Sequence, residues 1–155
     1  ESCTSSPYQY STVSGECVQK CPIGENYIWN NNECLSSCKE NYFYYESESL
    51  SNYKIYKCTQ SCATVTGKKN YVNGTKECIS SCGTLYVHNN ICYDNCLSIE
   101  GYTFSLKDTS GSTTTYKCSD SCNGKYFGSN HICVDSCNNL PFNKTANTDK
   151  SCVKE

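Results

Sequence analysis

Aromatic and polar positions alternate along this chain in short bursts, and the bursts recur. Tyr8 and Tyr10, Tyr27 and Trp29, Tyr42 and Tyr44, and Tyr102 and Phe104 are each separated by one residue. That spacing puts both rings on one face of an extended strand. Between the bursts lie turn formers: Asn30-Asn31-Asn32, Asn73-Gly74, Asn89-Asn90, Ser110-Gly111 and Gly128-Ser129-Asn130. Such residues reach left-handed backbone conformations cheaply or bond to their own backbone. A returning segment follows, as in Tyr56-Lys57-Cys58 and Tyr116-Lys117-Cys118. The pattern predicts a series of two-stranded hairpins. Aliphatic residues stand singly, and no window carries a helical stripe long enough for a bundle.

Cysteine marks the ends of each hairpin. The step Cys-x-x-x-Cys occurs at Cys17/Cys21, Cys34/Cys38, Cys58/Cys62, Cys78/Cys82, Cys92/Cys96, Cys118/Cys122 and Cys133/Cys137, leaving Cys3 and Cys152 near the two ends. Eight loops lie between the steps: 3–17, 21–34, 38–58, 62–78, 82–92, 96–118, 122–133 and 137–152. An aromatic follows the opening cysteine within a few residues in all but one of them, namely Tyr8, Tyr27, Tyr42, Tyr86, Tyr102, Tyr126 and Phe142. In loop 62–78 the aromatic, Tyr71, comes later. The linkers inside the steps end in short polar pairs such as Ser36-Ser37, Asp94-Asn95 and Asp135-Ser136, which favour Asx- and Ser-type turns. Loop lengths run medium, short, long and then repeat, and Tyr27-Ile28-Trp29-Asn30-Asn31 aligns with Tyr86-Val87-His88-Asn89-Asn90. Residues 1–155 thus read as one cysteine-rich repeat array, with super-repeats near 1–60 and 61–120 and a partial third over 121–155.

Composition explains how such thin units hold together. Sixteen of 155 residues are cysteine, the proportion of a disulfide scaffold. Other apolar content is too low for one large core. An even cysteine count points to an oxidising compartment, so the protein is expected to be secreted or on the extracellular surface. The net charge is −2 with the signs interspersed, which provides no field for steering nucleic acid or an anionic membrane. All the basic residues are lysine. No apolar run approaches the ~18 residues of a membrane span, and no leader peptide is recognisable. The cysteine rule would place further cysteines just before Glu1 and just after Glu155, so continuation in a longer array, or self-association, is expected.

Two pairing schemes use every cysteine. The interleaved scheme joins first to third and second to fourth, as in Cys3–Cys21 with Cys17–Cys34. The sequential scheme closes each loop on itself: Cys3–Cys17, Cys21–Cys34, Cys38–Cys58, Cys62–Cys78, Cys82–Cys92, Cys96–Cys118, Cys122–Cys133 and Cys137–Cys152. The second is favoured because a bond across a hairpin mouth suits the short Cα separation a disulfide demands. Each closure removes ~3 kcal/mol of unfolded-chain entropy. Together the closures rival a typical domain's net stability. The expected fold is small, disulfide-rich and mostly β: a linear, elongated array of about eight short hairpin modules, each closed by one disulfide.

The segments ECVQKCPIGENYIWNNNECLSSC and ICYDNCLSIEGYTF resemble the furin-like, growth-factor-receptor type of cysteine-rich repeat, in the form common in protist surface proteins. The resemblance covers nearly the whole chain through cysteine spacing and the aromatic after the opening cysteine. In that family, hairpin modules closed by one disulfide alternate with knotted modules closed by two. The sequential scheme corresponds to the former, and the Cys-x-x-Cys spacing of the knotted type is absent here. The resemblance implies a rod-like stack of modules.

Candidate chemistry is sparse. Zinc sites use two-residue cysteine gaps, whereas every gap here is three, and His88 and His131 stand alone near turns. No metal or other cofactor is expected. The cysteines are consumed by pairing, no carboxylate pair can be nominated, and no hydrolase motif occurs, so an enzyme is not expected. The histidines are expected at the surface. Asn73-Gly74-Thr75 and Asn143-Lys144-Thr145 are N-glycosylation sequons near hairpin tips, and both are expected to carry glycans. The run from Thr109 to Thr115 is either an O-glycosylated segment or a plain flexible tip. Tyr42, Phe43, Tyr44 and Tyr45 form the densest aromatic patch and the candidate contact surface. One hairpin cannot bury both faces of such a strand, so one face should meet a neighbouring module, another chain or a glycan, with packing on the adjacent disulfide as the alternative. The expected role is a glycosylated stalk, coat or filament element; the alternative is a surface adhesion or receptor module that binds a protein or carbohydrate.

Overall fold

The computed structural model describes residues 3–5, 7–140 and 145–153. The chain is mostly β and divides into two compact units, residues 1–81 and 82–155. Their boundary falls inside the Cys78/Cys82 linker.

In the first unit, β1 (Tyr10–Ser11) pairs antiparallel with β2 (Cys17–Val18), β3 (Tyr27–Trp29) with β4 (Glu33–Leu35), and β5 (Phe43–Ser49) with β6 (Lys54–Thr59). These six strands form one sheet in the order β2-β1-β4-β3-β6-β5. The fourth hairpin carries β7 (Tyr71–Val72) and closes through an antiparallel bridge between Asn70 and Ile79. In the second unit, β8 (Tyr86–His88) pairs with β9 (Ile91–Tyr93), and β10 (Phe104–Ser110) with β11 (Thr113–Ser119). Two further hairpins follow, β12 (Tyr126–Phe127) with β13 (Cys133–Val134) and β14 (Thr145–Ala146) with β15 (Cys152–Val153).

Local chemistry makes the turns. Asn89 and Asn90 both have positive φ, 49° and 65°, as a two-residue type I′ hairpin turn requires. In the Gly111-Ser112 turn only Gly111 is positive, at 62°, the pattern of type II′. The run from Thr109 to Thr115 is therefore the regular tip of a long hairpin, with Thr109 paired to Thr114 across it.

The opening cysteine starts a second recurring device. The carbonyls of Cys62, Cys82, Cys96, Cys122 and Cys137 each accept a hydrogen bond from the amide three residues on, at 3.0–3.1 Å. After Cys21 and Cys38 the same turn begins one residue later, at Pro22 and Lys39. One such turn brings the chain round and delivers the next residues into the outgoing strand, which accounts for the short delay before most of the aromatics. The linkers support these turns with their polar side chains: Ser61 and Ser136 accept from the amides of Ala63 and Asn138 at 3.2 and 3.3 Å.

All sixteen cysteines are bonded, in the sequential arrangement from Cys3–Cys17 to Cys137–Cys152, with Cα separations of 5.3–5.7 Å. These bonds are most of the interior. Among the described residues, the only buried hydrophobic side chains besides half-cystines are Ile28, Ile55, Val65 and Leu106. Ile28 and Ile55 pack with Cys21 and Cys34, Val65 with Cys62 and Cys78, and Leu106 with Cys122 and Cys133.

Within each unit, successive hairpins are joined by one rule. The outgoing strand of each lies parallel to the returning strand of the next. In the first unit Ser11 pairs with Glu33, Tyr27 with Tyr56, and Tyr44 with Glu77. In the second, Val87 pairs with Lys117, Ser105 with Ile132, and Phe127 with Ser151.

Candidate contact surface

The parallel hand-over decides where the aromatic patch faces. Tyr42 precedes β5, and Phe43, Tyr44 and Tyr45 open it, so their side chains alternate between its two faces. Because Tyr27 and Tyr56 are register partners in neighbouring strands, their rings stack at 5.0 Å and 19°. Tyr44 meets both edge-on, at 5.2 Å from Tyr27 and 5.3 Å from Tyr56. Tyr42 joins the same face by an edge contact with Trp29 at 4.4 Å, and Lys39 Nζ lies 4.5 Å from the Trp29 ring. Centroid distances of this kind are the favoured geometry for aromatic pairs.

The opposite face is occupied as well. Phe43 packs on Tyr71 at 4.7 Å, and Lys76 Nζ sits 4.7 Å from the Phe43 ring. With Tyr45 it lies against Cys62, Val65 and Cys78. A neighbouring hairpin thus covers part of each face, and one of those covers is an adjacent disulfide. All four aromatics remain half-buried.

What the hairpins leave uncovered is a groove of about 270 Å³. Tyr27, Tyr42 and Tyr44 form its apolar side, and the turn from Ser37 to Asn41 its polar side. Neither the Tyr27 nor the Tyr44 hydroxyl has a hydrogen-bond partner among the described residues. Burial first, then the neighbouring tyrosines and Glu77, raise the Tyr27 hydroxyl above the ordinary tyrosine value. Tyr44 is raised likewise, by burial and then by Glu77 and Tyr56. The Tyr42 hydroxyl accepts a hydrogen bond from Gln60 Nε2 at 3.1 Å.

Asn73 sits exposed at a turn in which the Thr75 amide donates to the Val72 carbonyl at 2.9 Å, with Gly74 at φ 84°. A positive φ at the third position identifies a type II turn, for which glycine is the residue of least strain. The second sequon asparagine, Asn143, lies outside the described residues, as does Phe142. Neither histidine is free at the surface. Both are half-buried, His88 against Tyr102 at 4.7 Å and His131 stacked on Phe104 at 4.5 Å and 8°. His131 Nδ1 also lies 3.0 Å from the Thr103 hydroxyl. Among the described residues no three His, Cys, Asp or Glu side chains are grouped to hold a metal ion, and no helix is long and apolar enough to cross a membrane.

One buried polar residue had no sequence signal. Ser105 is fully buried, and its hydroxyl accepts a hydrogen bond from the Cys96 amide at 2.9 Å, tying the opening of its loop to the base of the long hairpin beside Cys118. Compared with known proteins, the chain matches no family model, no curated protein and no solved structure.

Proposed function

We propose that this chain is an extracellular structural element, a disulfide-stabilised and glycosylated component of a stalk, coat or filament, built in the manner of a furin-like hairpin array. The observation that carries this reading is the parallel hand-over, repeated from hairpin to hairpin within each unit. A repeated module that contacts mainly its neighbours suits extension and load bearing, since each junction uses the same small set of contacts. Covalent closure of every module keeps such a body folded where no large core is available, and the same chemistry suits an oxidising extracellular setting. The exposed turn at Asn73 suits a glycan that keeps the surface solvated. No catalysis is assigned, and no nucleic-acid partner.

The test is imaging and sedimentation of the native, oxidised protein. A structural element self-associates into filaments or sheets, and mild reduction dissolves them. A protein that stays monomeric at high concentration, with and without its glycans, overturns the proposal.

A further inference from the structure

We propose that the groove beside β5 is a binding site for a neutral pyranose sugar of gluco configuration, set by the aromatic side of Tyr27, Tyr42 and Tyr44 and the polar turn facing it. This goes beyond the structural role and does not depend on it. The groove's volume, about 270 Å³, lies just under the range of drug-sized sites, which matches one sugar ring with its linkage rather than a peptide or a large cofactor.

The chemistry of the walls selects the ligand. A pyranose whose hydroxyls are all equatorial keeps its two faces apolar and carries its polar groups on the rim. The tyrosine rings offer a surface for such a face, since aromatic quadrupoles attract polarised C–H groups. The rim then needs donors and acceptors that are not already paired. Ser37, Glu40 and Asn41 line the groove, and none has a side-chain hydrogen bond among the described residues. The Tyr27 and Tyr44 hydroxyls add two more groups without internal partners. Charge is balanced: Lys39 and Lys76 line the site, Glu40 does too, and Glu77 lies near enough to act on both tyrosines. Both lysines are also drawn onto aromatic faces, over Trp29 and Phe43. A site of this kind has no excess charge to hold an acidic sugar.

The experiment is an amide chemical-shift titration of the oxidised full chain with cellotriose and with tri-N-acetylchitotriose, using an oligogalacturonate trimer as the acidic control. Saturable shifts confined to residues 37–44, 27 and 76 are expected with at least one neutral trisaccharide. Tyr42→Ala should weaken binding about tenfold, the scale of one lost aromatic contact. Glu40→Gln, on an exposed side chain, should weaken it several-fold without changing the remaining spectrum. If Tyr42→Ala disturbs the fold, the Glu40→Gln result decides. The proposal is overturned if neither neutral sugar gives saturable shifts, if Glu40→Gln leaves affinity unchanged, or if the acidic trimer binds more tightly than the neutral ones.

Discussion

Two neighbouring disulfides separate the contributions such a bond can make, restraint of the unfolded chain and filling of a thin core. Cys3–Cys17 and Cys21–Cys34 span 14 and 13 positions. Closure entropy varies only with the logarithm of loop length, so each is worth about 3 kcal/mol by that route. Their burial differs. Cys21 and Cys34 are 0% and 1% exposed and pack with Ile28 and Ile55, whereas Cys17 is exposed and Cys3 half-buried. Replacing Cys3 and Cys17 by serine should therefore cost about 3 kcal/mol. Replacing Cys21 and Cys34 by alanine also empties the space of two sulfurs, adding on the order of 1–2 kcal/mol for lost burial and the void. Denaturant titration followed by tryptophan fluorescence reads both, because Trp29 is the only tryptophan and reports on the first unit through its contact with Tyr42. Equal losses for the two variants would refute the idea that half-cystines serve as core. A loss under about 1 kcal/mol for the first would refute covalent restraint as the main support.

Three further outcomes follow from the same structure. Ser105→Ala strands the buried Cys96 amide and should cost about 1–3 kcal/mol, read as a lowered denaturant midpoint and faster hydrogen exchange at Cys96. The Tyr27, Tyr44 and Tyr86 hydroxyls are raised above the ordinary value of 10.0, chiefly by burial. Their contribution to stability is whole below that pH and is lost as pH rises through the folded-state values, so the denaturant midpoint should fall only on the alkaline side. Tyrosinate absorbance should lag behind that of the unfolded chain, and Tyr44→Phe should bring Tyr27 ionisation to lower pH. Expressed in a secretory host, the protein should lose one glycan by mass on Asn73→Gln, with no change in its disulfide map.

Hairpins and their limits were legible because the signals are local. Turn formers, aromatics spaced by two and cysteines at the mouth all act within one loop of 11 to 23 residues. In loop 62–78 a second turn, with the Lys68 amide donating to the Val65 carbonyl at 3.2 Å, follows the one at Cys62 and takes up chain before Tyr71 enters a strand. The parallel hand-over was not legible. It pairs Tyr27 with Tyr56 and Tyr44 with Glu77 across sequence gaps that carry no turn signal, and one or two backbone pairs leave no mark in composition. The two faces of the Tyr42–Tyr45 patch were hidden for the same reason, since their partners come from different hairpins. Ser105 was invisible because a serine in a strand flanked by Phe104 and Leu106 looks like an ordinary outward-facing position. The register with Cys118 turns it inward instead.

The preference for tyrosine over phenylalanine, 14 against 4, follows from how thin each module is. The interior around one disulfide has room for two half-cystines and one or two aliphatic side chains, some of them from the neighbouring hairpin, as with Ile28 and Ile55 or with Leu106. An aromatic placed beside that small interior can bury one ring edge against the sulfurs while its far end stays in water. Phenylalanine would expose that far end as apolar surface, whereas a phenol solvates it or finds a carbonyl, as Tyr53 does at the Cys21 oxygen. Two of the phenylalanines support this reasoning from the other side. Phe43 is covered in part by Tyr71 and Lys76, and Phe104 by Phe127 and His131, so other side chains rather than water meet much of each ring. Tyrosine is therefore the residue that lets a disulfide substitute for an aliphatic core, and where a hairpin leaves several of its rings uncovered together, as beside β5, the same residues become a surface on which something else can rest.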